Sequence, residues 1–428
     1  MRPAYFPVWL PALVLALPLP GHTAEWSAEP DIVLKSGYND NIRLTSAPHD
    51  SVWETYLIPS VRFGVANENQ GLYGDARVSI QRFSGGSGAN SSSQLDRENY
   101  FLATTAYHQT LRNAFRANLD YSERSTRDAE LDEFGNVVNQ EATLQQLTLG
   151  PSWDRTLNER TWLNVAYQAT SVDFPDDPGV SDLIAYDYDF LTTSLVRQIT
   201  PRMQGTLSAS YSRYQPDTVA GLNSNTLSYR AGISRNFSET LVASFHAGQR
   251  QTTSDTLIAT GFCIGAEPGS NFPTCTDGTA IPTGTAKDET RNNGSVYSAS
   301  ITKTLETSSL SAAISRASNP TSQGQILDTT RYSLIAAHQF SETLRADLSI
   351  KYNTRDVIVN QLGREPVDQT TRSLLRIGPT FSWKWRREWV FGGEYRYTES
   401  KDQFSRKATG NAVYLTLRYR PTKMYVSR

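Results

Sequence analysis

The chain has no apolar run that could cross a membrane as a helix. Such a span needs about 20 consecutive apolar residues, and the one candidate, Tyr5 to Pro20, is broken by Pro7, Pro11 and Pro18. Cysteine is scarce. Two in 428 residues, Cys263 and Cys275, cannot build a disulfide scaffold, and no neighbouring Cys or His completes a metal centre around them. An excess of one charge is also missing: 41 Lys and Arg stand against 43 Asp and Glu, which removes the electrostatic case for a nucleic-acid partner. No cofactor is expected.

What is present is one-sided polarity. Hydrophobic residues make up only 38%, yet Tyr counts 21 and Trp 8, and the mean hydropathy is −0.47. Aromatic, Thr-rich and Ser-rich chains without long apolar runs suit strands wetted on one face. Residues 1–24, with Arg2, the apolar run and Gly21-His22-Thr23-Ala24, read as a secretory signal peptide cleaved near Ala24. Residues 25–428 then form one barrel domain with 40 basic and 43 acidic side chains. In an exported chain, Cys263 and Cys275 are expected to close a loop disulfide.

The stretch Arg331 to Tyr352 sets the pattern. It reads as two strands joined by a tight turn at Ser341-Glu342-Thr343, with Leu344, Ala346, Leu348, Ile350 and Tyr352 alternating with Arg345, Asp347, Ser349 and Lys351. Period two with one apolar and one charged face is a strand between two different solvents. The turn recurs at Phe237-Ser238-Glu239-Thr240-Leu241. The same alternation runs from Asp31–Tyr38 to Val413–Tyr419. It includes Trp53–Val65 and a strand whose apolar face is read as Tyr186, Tyr188 and Phe190. The fold class is therefore all-β: a transmembrane antiparallel β-barrel of about 18 strands (16–18).

Connection lengths give the orientation. Eight short turns, near 67–71, 109–113, 156–160, 199–202, 238–240, 304–308, 341–343 and 386–388, alternate with nine longer polar segments. That is the arrangement of short periplasmic turns and long extracellular loops; a soluble sandwich, also built of short alternating strands, has no reason to sort its loops. Aromatics mark both ends of the apolar face: Trp53, Tyr121, Tyr167, Tyr186, Tyr211, Tyr297, Tyr352 and Tyr397 near long loops, and Phe115, Trp153, Phe237, Phe340, Trp383, Trp385 and Trp389 near short turns. Amphipathic rings favour the headgroup level. The expected location is the outer membrane of a Gram-negative bacterium, with lipid and lipopolysaccharide against the wall and the barrel assembly machinery as inserter. The segment 252–293 reads as the longest loop, and with its cysteines it is a candidate lid over the pore mouth.

Ser36-Gly37-Tyr38-Asn39-Asp40-Asn41-Ile42, Pro59 and the repeated Phe-Ser-Glu-Thr-Leu turns resemble the β-barrel porin type 2 family, itself similar to outer-membrane barrels of exopolysaccharide loci. The resemblance implies an outer-membrane barrel linked to polysaccharide export, with a polysaccharide and periplasmic export components as partners, and brings no catalytic residues. A terminal aromatic is absent: Leu415, Leu417 and Tyr419 form the apparent end signal, and Pro421–Arg428 trail behind.

By strand parity the lumen receives Arg62, Arg77, Arg116, Arg230, Arg250, Arg331, Arg345, Lys351, Arg376, Lys384, Arg396 and Arg418, opposed by Glu54, Asp75, Asp120, Asp154, Asp187, Asp189, Asp347 and Glu394. Such charges either pair across strands or form a cationic lining that selects anions. Asp187 and Asp189 share one face, the condition for acid–base work, and His246 points inward. No nucleophile is tied to them by spacing, so a surface hydrolase is the weaker alternative to a conduit or a general diffusion porin. The acidic run Asp128, Glu130, Asp132 and Glu133 lacks the ligand spacing and central Gly of a calcium loop.

Overall fold

A computed structural model describes residues 25–46, 51–85, 95–127, 142–176, 183–217, 223–264, 279–321, 325–360, 371–402 and 406–427. The alternation read above becomes eighteen strands, each long enough to exceed the 9–11 residues a tilted transmembrane strand requires. They are β1 (Glu25–Asn39), β2 (Val52–Ala66), β3 (Gln70–Ser84), β4 (Arg97–Gln109), β5 (Asn113–Ser125), β6 (Thr143–Asn158), β7 (Thr161–Asp173), β8 (Tyr186–Thr200) and β9 (Met203–Pro216). The second half comprises β10 (Ser224–Asn236), β11 (Leu241–Ile264), β12 (Thr279–Thr304), β13 (Ser308–Pro320), β14 (Gln325–Gln339), β15 (Leu344–Asn360), β16 (Thr371–Lys384), β17 (Trp389–Asp402) and β18 (Lys407–Tyr419). Each pairs antiparallel with the next, and β18 returns to β1 through Ile32↔Tyr419 to Asn39↔Ala412, so the sheet closes. A short β19 (Met424–Ser427) continues β18 alongside Glu25–Ala28, which gives the trailing C-terminus a place in the wall. No described helix is long and apolar enough to cross a membrane.

Closure leaves no unpaired edge, the condition for placing a sheet in hydrocarbon. The outer face is apolar: Ile32, Leu34, Leu57, Leu149, Leu191, Leu195, Leu207, Ile233, Ile301, Val413 and Leu415 are all exposed there. Its two rims differ chemically. Toward the long loops, outward tyrosines donate their hydroxyls to polar groups one step further out. Tyr121 donates to Glu123 at 2.9 Å, Tyr397 to Glu399 at 2.8 Å, Tyr395 to Asn411 at 2.8 Å and Tyr211 to Asn225 at 2.9 Å. Each ring thus has an apolar body below and a wet tip above, as an interface belt requires. Toward the short turns the rings pack on one another, with Phe115–Trp153 centroids 6.4 Å apart and Trp389–Tyr419 4.6 Å apart.

Among the described residues, three pads of buried apolar side chains lie inside the barrel at the long-loop end. One joins Leu44 of the first loop to Leu374 and Ala408. A second joins Val52, Phe83 and Leu95, with Ile42 against them. The third and largest gathers Leu144, Val172, Phe174, Leu183, Tyr186, Tyr214 and Ile326, with Tyr188 and Ile358 packed on it. Ile326 belongs to β14, whereas Leu144, Val172, Tyr186 and Tyr214 belong to β6–β9. A contact between such distant strands crosses the interior.

Two departures from the sequence reading follow from the register. The segment 252–293 is not a structureless loop: β11 and β12 stay paired from Leu241↔Lys303 out to Ile264↔Thr279. β10 leaves β11 at Ser254, so the two strands continue as a ribbon for Asp255–Ile264, about 30 Å at strand rise. Cys275 and the expected Cys263–Cys275 disulfide lie outside the described residues, as do residues 1–24 and the acidic run at 128–133.

The second departure concerns β8. Its register with β7, Val172↔Tyr186 through Thr161↔Arg197, puts Tyr186, Tyr188 and Phe190 on the inner face. Asp187 and Asp189, expected in the lumen, lie instead on the outer face with Leu191, Leu195 and Ile199. Asp189 accepts the hydroxyl of outward Tyr167 at 2.5 Å and so belongs to the tyrosine rim. Tyr186 and Tyr188, which the alternation assigns to the lipid-facing set, serve the mouth pad instead.

Candidate functional site

The lumen is defined by which strand phase faces in, and contacts between non-neighbouring strands fix that phase. Starting from the inward Arg250, the pairings carry one face around the whole wall. Arg62, Arg77, Arg116, Arg230, Arg250, Arg331, Arg345, Lys351, Arg376, Lys384, Arg396 and Arg418 all fall on it. So do Lys35, Arg97, Arg124 and Arg355, which the sequence reading did not assign. The carboxylates on the inner face or in the interior include Glu25, Glu29, Asp31, Glu54, Asp75, Asp120, Asp154, Asp328, Asp347, Glu394 and Asp402. With Asp187 and Asp189 on the outside, the inward cations named above outnumber them.

The charges are organised by height. At the turn end, Asp31 accepts both Arg418 and Arg420, and Glu29 accepts Lys423 at 2.7 Å and Arg62 at 3.2 Å. Arg116 meets Asp154 at 2.6 Å, and Asn164 donates to the same carboxylate at 2.8 Å. Toward the loops, Lys35 reaches Glu394 at 2.7 Å and lies 3.9 Å over the Tyr414 ring, while Arg396 holds the other oxygen of Glu394 at 2.5 Å. Tyr414 and Asn39 both donate to Glu54, at 2.9 and 2.8 Å, and Tyr56 donates to it as well. This network ties β1, β2, β17 and β18 together across the closure seam. On β15 and β16, Lys351 stands directly opposite Arg376. Like charges in that position repel, so the pair concentrates positive potential there.

The mouth is narrowed by the β13–β14 connection. β13 pairs with β12 only as far as Tyr297↔Arg316, while β13 and β14 stay paired with each other out to Pro320↔Ile326. Beyond Arg316 this hairpin has left β12, and β15, which stays paired with β14 out to Gln325↔Asn360 but with β16 only as far as Thr354↔Ser373, turns inward with it. The hairpin's outer-phase side chains now meet the inner faces of other strands. Arg250 of β11 grips Asp328 with Nε at 3.1 Å and Nη2 at 2.7 Å, both side chains being almost wholly buried at 1% and 2% exposure. Arg316 and Ser318 also donate to Asp328, at 3.0 and 2.5 Å. Arg250 Nη1 is completed by Thr252 at 3.1 Å and Asn292 at 3.2 Å. Further across, Tyr214 of β9 donates to the Thr321 carbonyl at 2.9 Å, and Ile326 sits in the β6–β9 pad. Residues 325–330 are all buried, on both faces of the strand, as only a segment inside the barrel can be.

Residues 318–328 are one of the nine longer polar segments between the short turns, yet they contain Ile326-Leu327, an apolar dipeptide that a solvated loop has no use for. His246 faces inward over Gly232, where an added Cβ would stand 2.0 Å from its ring, so its visible role is to cover that glycine. Among the described residues no group of three or more His, Cys, Asp or Glu side chains is arranged to hold a metal.

The geometry defines a closed antiparallel barrel of outer-membrane type, apolar outside and charged inside. No protein-family model and no curated protein sequence matches the chain, so the resemblance drawn from Ser36–Ile42, Pro59 and the repeated turns rests on those residues alone. Among solved structures, the chain is similar to the ferric-catecholate import receptor Fiu of E. coli K12 in its open form, at 10% identity and TM-score 0.46, covering 92% of this chain and 81% of that one. It is also similar to OccK9 (OpdG) of Pseudomonas aeruginosa, at 10% identity and TM-score 0.45 over 92% and 98%. The outer membrane channel DcaP of Acinetobacter baumannii matches at 11% identity and TM-score 0.40 over 94% and 99%. At this level of similarity no residue role or cargo carries over.

Proposed function

We propose that this chain is a channel of the Gram-negative outer membrane that passes anionic solutes, with an acidic exopolysaccharide on its way out as the cargo that fits best. The supporting observation is the cationic excess on the inner face of a closed wall whose outer face suits lipid. A low-dielectric tube lined by one sign of charge focuses potential along its axis and raises the local concentration of the opposite ion. In this reading the short turns face the periplasm, where export components meet the barrel. The long loops and the β11–β12 ribbon face outward, lipopolysaccharide surrounds the tyrosine rim, and the barrel assembly machinery inserts the chain. Catalysis has no part in it.

The test is electrical. Purified protein in planar bilayers should give stepwise conductance, and a potassium chloride gradient should give a reversal potential showing anion preference. Replacing inward Arg230 and Lys351 by Glu should move that potential toward cations. A barrel that inserts but conducts nothing, or that prefers cations as the wild type, would remove the reading.

A further inference from the structure

Close to the turn end, on the inner face of β3 and β4, two tyrosines lie where a wet lumen has no structural need of them. Tyr73 faces Thr105, and Tyr107 faces Gly71 on one side and Arg116 on the other. Their rings are nearly parallel, 6° apart, with centroids 5.9 Å apart. Both lie over glycines of the neighbouring strand. A Cβ added at Gly64 would stand 2.7 Å from Tyr73 Cδ1, and one added at Gly71 would stand 2.7 Å from Tyr107 Cε1. The two rings are thus laid against the wall, and Tyr73 keeps 48% of its surface exposed while Tyr107 is half-buried. Four residues, about 13 Å at strand rise, further along β3 and beyond the inward Asp75, Arg77 faces Phe101, its guanidinium 4.1 Å from the ring centroid. Arg77 has no ion-pair partner among the described residues.

A flat aromatic face followed along the strand by a guanidinium is the chemistry that receives sugar rings carrying carboxylates. The C–H face of the pyranose stacks on the ring, as planar groups do on aromatic platforms generally, and the acid pairs with arginine. We propose that Tyr73 and Tyr107, with the unpaired guanidinium of Arg77 further along the same face, form the platform on which sugar units of an acidic glycan first seat as the chain enters the lumen, successive units reaching from the rings to the arginine. This builds on the channel reading and names the docking point of its cargo. Wall packing alone does not account for the arrangement: covering Gly64 and Gly71 needs bulk, which Leu supplies, and not a ring.

The experiment titrates the purified barrel in detergent micelles with a short oligogalacturonate, and in parallel with a neutral maltooligosaccharide of equal length, by calorimetry. Slow gel migration without heating checks that each variant is a folded barrel. The double variant Tyr73→Leu with Tyr107→Leu, which still covers both glycines, should weaken binding of both sugars about tenfold. Arg77→Gln should weaken only the acidic one, by about fivefold. Wild-type protein that binds neither sugar, or a leucine variant that binds both as the wild type does, would overturn the proposal. The readout does not depend on conduction, so a barrel that binds the glycan through Tyr73 yet passes no current would sink the channel reading and leave the platform standing.

Discussion

Replacing Asp328 by Ala should release the β13–β14 hairpin and widen the mouth. Asp328 and Arg250 form a bidentate pair with almost no solvent access, supported by Arg316, Ser318, Thr252 and Asn292. Removing one member of such a pair strands a buried charge, at a cost of about 3–5 kcal/mol. What else holds the segment is comparable: burial of Ile326 and Leu327 contributes about 1.5–3 kcal/mol each, and the Tyr214–Thr321 hydrogen bond about 1 kcal/mol. Since each 1.4 kcal/mol is about tenfold in an equilibrium constant, the loss lowers the closed-to-open ratio by at least about a hundredfold, so openings become correspondingly more frequent. Single-channel recordings should show a larger and noisier open level, with gel migration confirming that the wall is intact. The double variant Arg250→Ala with Asp328→Ala should lie nearer the wild type than Asp328→Ala alone, because no orphaned guanidinium remains. If Asp328→Ala has wild-type conductance and noise, the hairpin does not gate the mouth. If the two effects simply add, the buried pair is not what holds it.

Leu348→Arg should destabilise the barrel by about 2–4 kcal/mol, the cost of a cation near the bilayer midplane, while Ser349→Arg on the lumen face costs far less; equal losses in reversible folding from urea into lipid would reverse the inside–outside assignment. In a background with both native cysteines changed to Ser, Ser84→Cys should react with a membrane-impermeant maleimide on intact cells and Asn69→Cys should not; the opposite pattern would invert the orientation. Asp187→Lys should leave the reversal potential of the pore unchanged, because this carboxylate stands on the outer face, and a shift as large as that of an Arg230 charge reversal would return it to the lumen.

The wall was legible because lipid and water impose period two on every strand, and a period-two pattern survives without any knowledge of partners. Leu344 to Tyr352 needed nothing more. The mistake in β8 shows where that signal fails. Tyr186, Tyr188 and Phe190 are apolar enough to pass for a lipid-facing set, but the phase continued by Leu191, Leu195 and Ile199 runs through Asp187 and Asp189. Following that phase downward, rather than starting from the rings at the mouth, would have placed both carboxylates outside. Aromaticity says that a side chain seeks cover, not on which side of the wall it finds it.

The mouth was not legible for a deeper reason. Arg250 and Asp328 are 78 residues apart and on strands that are not neighbours, so no local pattern links them. Once a hairpin leaves the wall its outer phase becomes an inner surface, and parity, which depends on membership of the wall, inverts its meaning. That inversion explains why Asp328 and Arg316 share a phase with lipid-facing Tyr332 and Leu334 while lying in the interior. It also explains why the buried apolar side chains collect at one end of the barrel. At the loop end the chain has length to spare and folds it inward, building small cores that narrow the opening. At the turn end the connections are too short to fold back, so the lumen stays wet, and any ring exposed there, as Tyr73 is, lies open to whatever enters.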